Sequence, residues 1–241
     1  MKKLLILSTL ALSFSASHAQ FGDLMKKANN VVNEVSGKKT TGLSNEDIIS
    51  GLKAALNQGA TNGTQKLSAV DGFFKDAAVK VLMPPEAQKV EKTLRNIGMG
   101  SQVDNAILAM NRAAEDAAKS AAPIFMNAIK GITIQDGFSI LKGSDNAATN
   151  YLKDKTLASL TEAFRPVIEA SLKKVDATKY WNTLFTNYNR FAPEKVNPDL
   201  TAYVTERALN GVFFQVAQEE AKIRKDPMAR TSDILKKVFG Q

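Results

Sequence analysis

The sequence predicts an all-α fold, a single multi-helix domain built around a buried central helix at about 199–225. Three observations predict it. In "SQVDNAILAMNRAAEDAAKSAA", Val103, Ala106, Ile107, Met110, Ala114 and Ala117 share one side of a helical wheel, and the many alanines imply close approach to a neighbouring helix. Asn197-Pro198-Asp199 supplies a cap, a first-turn proline and a first-turn carboxylate ahead of a long apolar stretch. There Val204, Ala208, Leu209, Val212, Phe213, Phe214, Val216 and Ala217 point in nearly every direction, as in a helix covered on all sides. Finally, no sheet pattern recurs; Val79, Val81 and Leu82 form only one extended-looking run before two prolines.

Along the chain, "MKKLLILSTLALSFSASHAQ" joins Lys2 and Lys3 to an apolar run from Leu4 to Phe14 and then to small residues. It reads as a secretory signal peptide, residues 1–19, cut after Ala19. Residues 20–43 form an amphipathic leader and linker: Phe21, Leu24, Met25, Ala28, Val31, Val32 and Val35 make one helical stripe, and Gly37 to Gly42 is turn-rich. Lys26 and Lys27 beside the stripe would suit a membrane surface, but docking on the main domain or on a second copy is favoured. The helical domain, 44–241, opens at Ser44, with a carboxylate three residues on at Asp47. Pro85 starts a helix that Gly98 stops, and Pro123, Thr133 and Ser144 mark three more starts, the last helix breaking near Pro166.

Composition excludes several function classes. The chain holds no cysteine, so it has neither disulfides nor a thiol to accept a lipid anchor, and its one histidine, His18, lies in the segment expected to be removed. Ser-His-Asp triads, Cys-His dyads, zinc sites and c-type haem attachment are thereby excluded, and no phosphate loop, dinucleotide fingerprint or calcium loop calls for a cofactor. Removing residues 1–19 takes away two lysines and no acid, so the formal charge falls from +8 to +6. Lys and Arg are spread along the chain rather than clustered, so nucleic acid is not the expected partner; an anionic envelope polymer or lipid fits better. After residue 19, no stretch approaches the roughly 18 continuous apolar residues of a membrane span.

The candidate site residues are polar groups at odds with their apolar surroundings. Glu115 lies on the shoulder of the amphipathic stripe, three residues from Arg112; the pair reads either as a solvated ion pair or as an acid in a cleft. On the central helix Arg207, Glu219 and Glu220 must find partners if that helix is buried. Arg224 stands four residues after Glu220, the favourable order, and Arg230 lies beyond Pro227, which should end the helix and turn the chain. Arg230 is expected to reach back to Glu219 or Glu220, while Ile234, Leu235, Val238 and Phe239 form the apolar edge of a short terminal helix. Glu115, Arg207, Glu219, Glu220, Arg224 and Arg230 thus form a candidate polar network, structural or ligand-binding.

The segments "GLKAALNQG", "VEKTLRNIGMG", "NRAAEDAA", "PIFMNAIKGITIQDGFSILKGSDNAATNYL" and "YVTERALNGVFFQVAQEEAKIRKDPMARTSDILKKVFG" resemble, in order, the exported bacterial proteins of DUF4197, a domain of unknown function. The resemblance runs from about Ser44 to Gly240. It implies an exported helical domain and carries over no catalytic residue. The expected function is a non-enzymatic periplasmic binding or structural protein of the cell envelope. The alternatives are a carboxylate-dependent peptidoglycan or glycan hydrolase and a carrier of a lipid or amphiphilic ligand.

Overall fold

Ser44 opens the first helix by a reciprocal cap: its Oγ accepts from the Asp47 N–H at 3.1 Å, and Asp47 Oδ2 accepts from the Ser44 N–H at 3.1 Å. The computed structural model describes residues 44–174, 177–178, 181–182, 186, 189–190, 195 and 199–226. The expected signal peptide, the leader, Arg230 and the terminal helix lie outside them.

Helix α1, Asn45–Ser68, buries Ile49, Leu52, Leu56 and Leu67 and runs without a break through Gly59 and Gly63. Each glycine weakens an isolated helix by about 1 kcal/mol. Here they admit a neighbour: a Cβ on Gly59 would lie 3.3 Å from Glu219 Cβ, and one on Gly63 would lie 3.3 Å from Gln215 Cγ. After a loop at 69–84 and a 3₁₀ turn at Pro85–Ala87 come α2, Gln88–Asn96, and α3, Gly100–Ala118. Next are α4, Ala121–Lys130; α5, Ile134–Lys142; α6, Ala147–Lys173; and α7, Leu200–Lys225. Thr133 and Asp136 repeat at α5 the capping box of α1.

The fold is all-α, with no strand among the described residues. Helix α7 packs on α1, α3 and α6; α3 and α4 also pack on α6, and α5 closes against α1 and α6. The alanine face of α3 makes close packing possible, since Ala113, Ala114, Ala117 and Ala118 are all fully buried. Phe73, Phe125 and Phe164 fill the spaces between helices. No described helix is long and apolar enough to cross a membrane. Contacts divide the chain between Leu43 and Ser44.

Four local expectations are corrected. Helix α6 does not break near Pro166 but continues to Lys173. Pro166 is exposed and forfeits a bond to the exposed residue Glu162, whereas Phe164, Ile168 and Leu172 carry one buried stripe across it. Burying Ile168 and Leu172 contributes roughly 1.5–3 kcal/mol each, together enough to match or exceed the ~3 kcal/mol that a helical proline costs. Ser144 does not cap α6, whose N-cap Asn146 makes no side-chain cap bond; its hydroxyl bonds Asn146 Oδ1 at 2.8 Å instead. Asp199, not Asn197, caps α7, accepting from the Ala202 N–H at 2.9 Å. Finally, α7 is not covered all round: Glu206, Arg207, Asn210, Phe214, Gln218, Lys222 and Lys225 form one exposed edge.

The loop after α1 turns through Asp71, whose φ of +70° is left-handed, and Gly72, which packs against the end of α1. A Cβ on Gly72 would lie 2.3 Å from Lys66 O and 2.6 Å from Leu67 O, and neither backbone atom can step aside cheaply. Gly72→Ala is therefore expected to cost about 1–3 kcal/mol, seen as a lower urea midpoint at unchanged slope. An unchanged midpoint would show that this turn can shift freely.

Candidate functional site

Asn111 and Glu115 stand four residues apart on α3 and face the 69–84 loop together. Asn111 is fully buried: its Oδ1 accepts from the Val81 N–H at 2.9 Å, and its Nδ2 donates to Val81 O at 2.8 Å and Ile107 O at 2.7 Å. One turn later Glu115, 3% exposed, takes the Phe73 and Phe74 N–H groups on Oε1 at 3.1 and 3.2 Å. Its Oε2 accepts from Arg112 Nη1 at 2.6 Å, and Arg112 Nη2 reaches Asp71 Oδ1 at 2.7 Å. Lys75 first, then Arg112, hold the Asp71 carboxyl below its ordinary range. That contribution is present above the unfolded carboxylate's titration range and is lost as pH falls through the lower folded value. The Arg112–Glu115 pair is thus the rim of a buried loop anchor rather than a fully solvated pair.

Glu220 repeats the arrangement on α7. Its side chain is 5% exposed, and its oxygens accept from the Ala148 N–H at 3.1 Å, the Thr149 N–H at 2.8 Å and Thr149 Oγ1 at 2.8 Å. These donors are the first turn of α6, where a carboxylate also meets the positive end of the helix dipole. Arg224 binds Glu220 Oε1 through Nε at 2.9 Å and Nη2 at 2.8 Å, and Nη2 continues to Ile140 O at 3.0 Å near the end of α5. The pair therefore fastens the α5–α6 corner to α7. Glu220 supplies the cap that Ser144 does not.

Glu219 faces the other way, towards α1. It accepts from Gln215 Nε2 at 3.3 Å and pairs with Lys222 at 2.5 Å, while Gln215 Oε1 accepts from Lys66, which also binds Asp76 at 2.9 Å. Of the six candidate residues, Glu220 and Arg224 meet directly, and Glu219 and Glu115 belong to separate clusters. Arg207 sits on the exposed edge of α7, joined to none of the others by a hydrogen bond or ion pair within the described residues. Arg230 lies outside them. Asp71, Lys66 and Thr149, which complete these clusters, carried no local signal in the sequence.

The sequence model of a family described as "Protein of unknown function (DUF4197)" matches residues 42–240. The chain belongs to the DUF4197 family. Comparison with curated proteins and with solved structures gives no match.

In this DUF4197 chain the buried carboxylates have little room for substrate. Acid–base cleavage of a glycosidic bond needs two carboxyl groups facing each other across about 5–9.5 Å of open cleft. Glu115 and Asp71 do stand near each other, but the Arg112 guanidinium lies between them and binds both. Among the described residues no group of three or more Asp and Glu is arranged to hold a metal ion. Beside Glu220, between α1 and α7, lies a cavity of about 20 Å³ lined by residues including Leu52, Leu56, Val216 and Ile223. That volume holds about one water molecule and no acyl chain.

Proposed function

We propose that this chain is a non-enzymatic helical binding or structural protein of the cell envelope. One observation carries the reading: Glu115 and Glu220, the most buried carboxylates of the candidate set, each accept two consecutive backbone N–H groups and one arginine. A carboxyl so engaged holds a loop or a helix end, and releasing it for proton transfer would leave those donors unsatisfied. Among the described residues the hydrolase reading finds no second carboxylate across an open cleft from Glu115, and the lipid-carrier reading finds beside Glu220 a cavity of only about 20 Å³.

Export belongs to this proposal and rests on Lys2, Lys3 and the apolar run that follows. N-terminal sequencing is expected to find Gln20 first in the periplasmic fraction; intact Met1 in the soluble cytoplasm would overturn the location. A zymogram with cell-wall substrate is expected to show no clearing. Clearing that disappears in Glu115→Gln, with the melting temperature unchanged, would replace the binding role with catalysis. Native mass spectrometry of protein taken from its own compartment is expected to show an anionic glycan or lipid adduct if the role is binding.

A further inference from the structure

Between α4 and α6 runs a groove of about 410 Å³, a volume within the range of small-molecule sites. It exists because Ala128 and Gly131 on the α4 wall are too small to fill the space opposite Tyr151, Lys155 and Ser159, which recur every fourth residue on α6. Its polar groups are available. No hydrogen bond within the described residues engages the Asn127 carboxamide, the Ser159 hydroxyl or the Lys155 ammonium. Lys155, an exposed residue of the α6 wall, places its Nζ 5.6 Å from the centre of the Tyr151 ring, which lines the same groove. Lys155 also acts on the Asp136 carboxylate, which the Thr133 hydroxyl first and the Thr133 N–H next hold below its ordinary range, so a ligand carboxylate would share the Lys155 charge with Asp136.

We propose that this groove binds an acidic sugar unit, a hydroxyl-rich ring carrying one carboxylate. Lys155 takes the carboxylate, Asn127 and Ser159 exchange hydrogen bonds with ring hydroxyls, and Ala128 with Ile124 meets the C–H face. A single cation with neutral donors suits a monoanion. A phosphate dianion is ordinarily met by an arginine fork or a cluster of backbone N–H groups, and the groove lining contains no arginine. The assignment deepens the binding role proposed above and rests on it.

Titration calorimetry of the purified full chain with glucuronate, glucose, inorganic phosphate and a short oligouronate tests it. Glucuronate is expected to bind with a Kd of about 1 mM, and the oligouronate more tightly if the natural ligand is a polymer rather than a free acid. Glucose and phosphate should each bind at least about tenfold more weakly. Lys155→Ala should weaken glucuronate about tenfold or more, and Asn127→Ala a few-fold. Ser159→Trp, placed at an exposed position to fill the groove, should abolish binding with the melting temperature unchanged. Glucuronate binding that ignores Ser159→Trp, or phosphate binding equal to glucuronate, would overturn the assignment, as would no glucuronate binding at all. If native mass spectrometry still finds an envelope ligand in that case, the binding role stands and only this site falls.

Discussion

Replacing Glu220 with alanine is expected to lower the stability of the domain by about 3–5 kcal/mol, the range found when one partner of a buried ion pair is removed. Three donors at the start of α6 would lose their acceptor, and Arg224, with a side chain only 14% exposed, would keep its charge in a partly buried position without the carboxylate. Arg224→Ala should cost less, because water can reach part of the space it leaves and Glu220 retains its backbone donors. In a double-mutant cycle the two changes should fall short of additivity by roughly 0.5–3 kcal/mol, as for groups in one network. Chemical denaturation of the four proteins provides the measurement. Strict additivity would mean that Glu220 and Arg224 act independently, and a loss below about 1 kcal/mol for Glu220→Ala would mean that the α6 terminus finds other acceptors.

The candidate site was legible in its parts and not in its connections. Glu219, Glu220 and Arg224 announce themselves because charged residues crowd an otherwise apolar helix, and the i, i+4 spacing of Glu220 and Arg224 pairs them locally. What they hold is remote. Glu220 meets Thr149 across 71 residues, and Glu115 meets Phe73 across 42, and all but one of these remote donors, the Thr149 hydroxyl, are backbone groups, which carry no residue-type signal. The groove between α4 and α6 was invisible for the same reason. Asn127, Lys155 and Ser159 look like ordinary surface residues until two helices are placed side by side.

Of the fold elements governed by adjacent residues, several were read correctly, while the caps expected at Ser144 and Asn197 were not. The Ser44 cap follows from a side chain and a carboxylate three positions apart, and the alanine run of α3 from a tight interface. Pro166 illustrates the opposite case. Local chemistry argues for a break there, and the core stripe through Phe164, Ile168 and Leu172 overrides it. Sequence periodicity can show that residues want cover, but not how many neighbours are available to provide it.

Phe213 and Phe214 test that distinction most directly. Adjacent residues on a helix point about 100° apart, so both rings can be buried only where neighbours surround the helix. Phe213 is 6% exposed and meets Phe125 edge-on, with ring centroids 5.8 Å apart and planes at 73°. Phe214 is 41% exposed on the outer edge of α7. Phe213→Ala is therefore expected to cost about 3–5 kcal/mol, including the cavity left against Phe125. Phe214→Ala is expected to cost under about 1 kcal/mol, since most of what it removes was already in contact with water. Urea unfolding of the two variants decides the matter. Comparable losses above about 3 kcal/mol for both would show that the outer edge of α7 is covered in solution, and losses below about 1 kcal/mol for both would show that Phe213 does not anchor the core.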